Sequence, residues 1–151
     1  MLDIGDPVPR FDLPDHDGDR VTSEALAGDR YVLYFYPEAA TRGCTIEARS
    51  FRDAWDRFED RDLPVYGVSL DPVEKIAAFR RDEELPFTLL SDPDGTTAKA
   101  FGVYTERDHE GETIEIAERH TFVVGPDGTI ERVYTDVSPA DHAEEILADL
   151  E

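Results

Sequence analysis

Apolar positions along this chain fall into short unbroken runs and longer stretches spaced by three or four. The run "YVLYFY", residues 31 to 36, is uncharged, rich in aromatic side chains, and of strand length. Such a run predicts a central strand buried on both faces, and Pro37 ends it. From about 43 to 59, Ala48, Phe51, Trp55 and Phe58 recur at three- and four-residue steps, which predicts one amphipathic helix. "VYGVSL", 65 to 70, reads as a second strand. Asp71 is then expected to cap a helix that has Pro72 in its first turn, runs to about 83, and turns Ile76 and Phe79 inward.

"FTLL" predicts a third strand, followed by the turn "SDPDG" and a brief helix closed by Gly102. "HTFVVG" and "TIERVYT" flank "PDG" and predict a hairpin. A last amphipathic helix over "PADHAEEILADL" presents Ile146, Leu147 and Leu150. Near the start, "DHDGD" reads as a turn before Val21, and Ser23 as the cap of a short helical turn ending at Gly28. Strands alternating with helices, then a hairpin and a closing helix, predict an α/β fold of three layers. Its central sheet is mixed and flanked by helices. At 151 residues, one domain spanning 1–151 is expected, burying roughly two-thirds of its unfolded surface.

Charge changes the picture of the surroundings more than of the fold. Asp and Glu number 36 against 15 Lys plus Arg, a net charge of −21, and only Lys75 and Lys99 are lysine. That field repels nucleic acid and anionic membranes. Its self-repulsion is relieved where molar salt shortens the Debye length to about 3 Å, so a high-salt, halophilic cytoplasm is expected. No apolar run approaches the ~20 residues of a membrane helix. "MLDIGDPVPRF" lacks the cationic start and apolar stretch of a signal peptide. No phosphate loop or dinucleotide glycine fingerprint occurs, so no cofactor is expected. The spacing of His16, His109, His120 and His142 predicts no metal site.

The single cysteine, Cys44, excludes an intramolecular disulfide, a CxxC redox pair and a cysteine zinc cage. A lone cysteine is commonly a small buried hydrophobe, but its neighbours argue otherwise here. Cys44 follows a strand and loop at the carboxyl edge of a sheet, where α/β domains build sites. It lies in the first turn of a helix, whose unpaired N–H groups and positive dipole end favour a thiolate. Gly43 permits close approach of a ligand, and Thr41 sets a hydroxyl one turn back. Residues 42–57 carry Arg42, Arg49, Arg52 and Arg57 against Glu47, Asp53 and Asp56, a net +1 within a chain of −21.

"YFYPEAATRGCTIEARSFRD" resembles the active-site segment of peroxiredoxins, with Pro37, Thr41 and Cys44 at the family's proline, threonine and peroxide-attacking cysteine. The resemblance is nearest to the bacterioferritin-comigratory, or Q-type, branch. It extends through "LPFTLLSDPDGTTAKAFGVY" and "ERHTFVVGPDGTI", where Arg119 matches the active-site arginine. It implies a thioredoxin-like fold and a thiol peroxidase. Cys44 would attack the peroxide and become a sulfenic acid. Arg119 and the helix amides would stabilise the departing oxygen, Thr41 would align the peroxide, Pro37 would shield the sulfur, and Glu47 would orient an arginine.

Two positions depart from the pattern. Arg49 stands where many Q-type members carry a resolving cysteine, and Arg42 replaces the usual proline. The expected partners are therefore a peroxide and an external thiol, either a small molecule or a thioredoxin- or glutaredoxin-like protein, acting on a monomer or weak dimer. The competing readings are a peroxide sensor that passes oxidation to a partner, and a non-catalytic binding protein on the same scaffold.

Overall fold

A computed structural model describes residues 1–150. A short hairpin, β1 (Asp12–Pro14) and β2 (Arg20–Thr22), precedes a one-turn helix α1 (Ser23–Leu26). β3 (Tyr31–Phe35) leads into α2 (Arg42–Asp53) and α3 (Trp55–Asp60), and β4 (Val65–Ser69) into α4 (Val73–Asp82). β5 (Thr88–Ser91) leads into α5 (Thr96–Phe101), and a second hairpin joins β6 (Tyr104–His109) to β7 (Glu112–Ala117). β8 (Thr121–Val124), β9 (Ile130–Tyr134) and α6 (His142–Asp149) close the chain.

The central sheet has the order β5-β4-β3-β8-β9. β3, β4 and β5 run parallel, whereas β8 and β9 are antiparallel. This is the mixed, helix-flanked sheet of a thioredoxin-like α/β fold. Alternation along β3 divides the core in two. Val32, Tyr34 and Tyr36 pack with Ala48 and Phe51 of α2, Phe58 of α3, Ile76 and Phe79 of α4, and Ile146 and Leu147 of α6. Tyr31, Leu33 and Phe35 pack on the other face with Phe101, Phe122, Val124, Leu13 and Phe11. No helix among the described residues is long and apolar enough to cross a membrane.

Several local expectations are corrected. The helix expected over 43–59 is interrupted at Ala54, which closes α2 and opens α3 with φ −100° and ψ 7°. Phe51 and Phe58 still face the same core, so hydrophobic spacing alone does not reveal the break. Thr22, not Ser23, caps α1 by accepting the Ala25 amide at 3.1 Å, while Ser23 Oγ accepts the Phe11 amide at 3.1 Å. Pro72, not Asp71, occupies the N-cap position of α4. The β6–β7 hairpin went unforeseen because "YTERDHEGETIEIA" is dominated by charge. Its turn at Glu110 and Gly111 has φ of 52° and 83°, the pairing a tight two-residue hairpin requires.

Candidate active site

Cys44 is the third residue of α2, just beyond the loop that leaves the carboxyl end of β3. The side chain is 1% exposed. Its sulfur accepts a hydrogen bond from the Arg119 guanidinium at 3.4 Å. Arg119 sits at the bend between β7 and β8. Backbone bonds fix that bend: the Glu118 amide donates to Val103 at 2.8 Å, and the His120 carbonyl accepts the Phe35 amide at 2.8 Å. The guanidinium is thereby delivered to the same edge of the sheet as the cysteine.

Glu47 lies three residues after Cys44, one turn along the same face of α2. It is fully buried, and its Oε1 accepts from Arg119 Nη1 at 2.8 Å. Arg119 thus bridges carboxylate and sulfur while its own side chain keeps 22% exposure. Burial raises the Glu47 carboxyl from 4.5 to about 7, against the pull of the Arg119 charge. Burial works to lower the Arg119 pKa, but Glu47 and Cys44 outweigh it, so the guanidinium is held more firmly protonated than usual. The second oxygen of Glu47 and the Tyr34 hydroxyl are buried without a hydrogen-bond partner among the described residues. A Cβ on Gly43 would come within 3.0 Å of Arg119 Nη2. Gly43 therefore makes room for the guanidinium.

Thr41 is exposed and immediately precedes α2, yet its hydroxyl donates to the Glu38 carbonyl at 2.7 Å. Its oxygen lone pairs remain available to accept from a peroxide O–H. Pro37 lines a cleft of about 160 Å³ together with Glu38, Leu70, Asp71, Ile114 and Ile116. The β6–β7 hairpin, absent from the sequence-based expectation, forms one wall of that cleft.

Three of the four arginines of α2 and α3 are engaged elsewhere. Arg49 pairs with Glu83 at 2.5 Å, Arg52 donates to the Glu83 carbonyl at 2.9 Å, and Arg57 pairs with Glu144. The cation that matters beside Cys44 is Arg119, from a distant part of the chain. Sequence reading also missed the contacts of two buried groups. His142 Nε2 meets Thr121 Oγ1 at 2.7 Å, and burial lowers the imidazole from 6.5 to about 4. Asp71, mistaken for a helix cap, is turned instead toward the loop before Cys44. The carboxylates of Asp15, Asp17 and Asp19 gather at the β1–β2 turn, where Asp15 Oδ1 accepts the Asp17 and Asp19 amides at 2.8 and 3.0 Å. That is turn closure.

The arrangement is a buried thiol facing a fixed cation, with a buried carboxyl of raised pKa behind. Residues 4–133 match the model of the AhpC/TSA family. Peroxiredoxin Bcp of Escherichia coli is 40% identical over 146 residues, covering 97% of this chain and 94% of its own. Peroxidoxin BcpB of Mycobacterium tuberculosis superposes with a TM-score of 0.87 at 38% identity, covering 99% of this chain and 97% of its own. The bacterioferritin comigratory protein of Xanthomonas campestris, described for its alkyl peroxide reduction activity, superposes at 0.85 with 33% identity, covering 93% and 89%.

Proposed function

The chain belongs to the AhpC/TSA family, within the Bcp/PrxQ peroxiredoxins, and is a thiol peroxidase; from that premise we propose that Cys44 carries the reaction. The observation that supports this is the Arg119 guanidinium 3.4 Å from the buried sulfur and anchored behind by Glu47. The Cys44 thiolate attacks the terminal peroxide oxygen. An S–O bond forms as the O–O bond breaks, sulfur gives up two electrons, and the departing oxygen takes a proton to leave as water or an alcohol. Cys44 is left as a sulfenic acid. Arg119 and the first amides of α2 meet the charge that develops on the departing oxygen. Thr41 accepts the peroxide O–H and sets the line of attack, while Pro37 keeps bulk water from the sulfur.

No second cysteine exists in the sequence, and Arg49 fills the position where many Q-type members carry a resolving cysteine. An external thiol therefore attacks the sulfenic sulfur, forming a mixed disulfide and releasing water. A second thiol then displaces Cys44 from that disulfide. A small thiol or a thioredoxin- or glutaredoxin-like protein fits this role. Hydrogen peroxide and organic hydroperoxides are the substrates, the latter supported by the alkyl peroxide reduction described for the Xanthomonas relative. The acid-rich, lysine-poor composition supports a high-salt cytoplasm as the place of work, and the working form is a single-domain monomer or weak dimer.

Peroxide consumption with excess small thiol tests the reading. Sustained turnover is expected, with one dimedone adduct on Cys44 when the thiol is withheld, and neither in Cys44→Ser. Turnover that survives Cys44→Ser would overturn it.

A further inference from the structure

The loop that presents Cys44 is short, irregular and strained, yet little of what holds it comes from the loop itself. Ala40 has φ 66°, a left-handed conformation rare outside glycine. Such backbone persists only where its surroundings over-determine it. The preceding Ala39 amide is buried and donates to Asp71 Oδ2 at 2.7 Å. Asp71 lies two residues beyond β4 and 32 positions from Ala39 in sequence.

Asp71 is itself held on three sides. Ser69 Oγ donates to the same Oδ2 at 2.8 Å, Ser91 Oγ donates to the Asp71 carbonyl at 2.6 Å, and Lys75 Nζ lies 3.3 Å from Oδ1. Lys75 also pairs with Glu38, whose carbonyl accepts the Thr41 hydroxyl at 2.7 Å. The chain has only two lysines, and one of them bridges two carboxylates at this loop. The contacts run from the ends of β4 and β5, through one buried carboxylate, to the amide before the strained residue and the carbonyl that orients Thr41.

Resting on the assignment of Cys44 as the peroxide-attacking thiol, we infer that Asp71 is a positioning residue for the peroxide reaction. Its carboxylate fixes the Glu38–Thr41 loop so that Thr41 and the start of α2 meet Arg119 at one point. Asp71 touches no reacting atom. It acts by removing the loop's freedom before the peroxide arrives, and a displacement of about 1 Å at such a site costs on the order of a hundredfold in rate. An uncharged isostere that keeps an oxygen toward Ala39 and Ser69 preserves most of this clamp. A side chain with no acceptor loses it.

The test compares two reactions of the same sulfur. Single-turnover oxidation of Cys44 by hydrogen peroxide needs the aligned Thr41 and Arg119, whereas alkylation by iodoacetamide needs an accessible thiolate but no aligned peroxide. In Asp71→Ala the peroxide rate should fall roughly ten- to hundredfold, with alkylation unchanged or faster. Asp71→Asn should stay within about threefold of the wild type. Ser69→Ala, which leaves Asp71 in place but removes one of its anchors, should show the same split more weakly and serves if Asp71→Ala does not fold. A peroxide rate in Asp71→Ala equal to that of the wild type, or both rates falling together, would overturn the inference. Should wild-type Cys44 react no faster than a free thiol, the underlying assignment fails instead, and the two failures are told apart by that one control.

Discussion

The two faces of β3 carry the same kind of residue but different kinds of burial. On one face Phe35, Phe101 and Phe122 meet with ring centroids 5.1 to 6.0 Å apart, joined by Leu33, Val124 and Leu90. On the other, Tyr34 stacks on Phe51 at 4.8 Å, and the same layer buries Cys44, Glu47 and His142. Each face buries tyrosine hydroxyls without a partner among the described residues, Tyr31 on the first and Tyr34 and Tyr36 on the second. The second adds one Glu47 oxygen that also has no partner among the described residues. Burying such groups costs stability unless they are satisfied, and the second face carries more of them, beside the Cys44–Arg119 contact. On the proposed function, reactivity belongs to the Cys44 side of β3 and the other side contributes packing.

The sharpest way to break that division is to remove one group from each side. Arg119→Ala should lower the rate of Cys44 oxidation by roughly 10²- to 10³-fold, the usual loss when a preorganised charge-stabilising donor is deleted, while the chain still folds. Stopped-flow oxidation and circular dichroism check both halves. Phe122→Ala should do the reverse. Its ring is fully buried, and its loss should destabilise by about 3–5 kcal/mol in denaturant unfolding. The remaining folded molecules should oxidise at close to the wild-type rate.

A subtler effect sharpens the picture of the reactive face. Glu47 is raised from 4.5 to about 7, so its stabilising contribution is full below 4.5 and lost as pH climbs through about 7. His142 is lowered from 6.5 to about 4, so its contribution is full above 6.5 and lost as pH falls through about 4. The two slopes oppose each other between about 4.5 and 6.5. Urea midpoints taken across that window should therefore separate the variants. Relative to wild type, Glu47→Gln should gain stability as pH rises, and His142→Gln should lose it. Parallel profiles would refute the pairing. Smallest of all is Arg49→Ala, which cuts an exposed pair with Glu83. Its midpoint should barely move, and less still in molar salt, with the oxidation rate unchanged.

Much of this was legible in the sequence, for identifiable reasons. "YVLYFY" could hardly be anything but a central strand, and the spacing of Ile76 and Phe79 or of Ile146 and Leu147 gave those helices their inward faces. The hairpin around "PDG" carried its own turn signal. What escaped was either masked by charge or depended on tertiary contact. The β6–β7 hairpin buries only part of one face, so its sequence looks like a solvated loop. Asp71 has a residue type and spacing suited to a helix cap, and only the folded chain reveals that its carboxylate turns to Ala39. The arginines of α2 and α3 looked like an electrostatic device around Cys44, yet Arg49, Arg52 and Arg57 are spent on neighbouring elements. Gly43 was recognised as a close-approach position, but what approaches it is Arg119. The motif named the cysteine and the arginine. It also named Glu47; the geometry adds that this carboxyl is fully buried against Arg119 and that Asp71 holds the Ala39 amide.

The central claim is that the fold turns an ordinary thiol into a peroxide-specific nucleophile. The most direct measurement is the second-order rate of Cys44 oxidation by hydrogen peroxide, in molar salt, for the folded chain and for the same chain unfolded in guanidinium chloride. The account predicts a folded-state rate orders of magnitude above that of the unfolded chain, whose thiol is exposed but unassisted. Equal rates, or a slower folded chain, would mean that burial merely hides the sulfur, and would contradict the account.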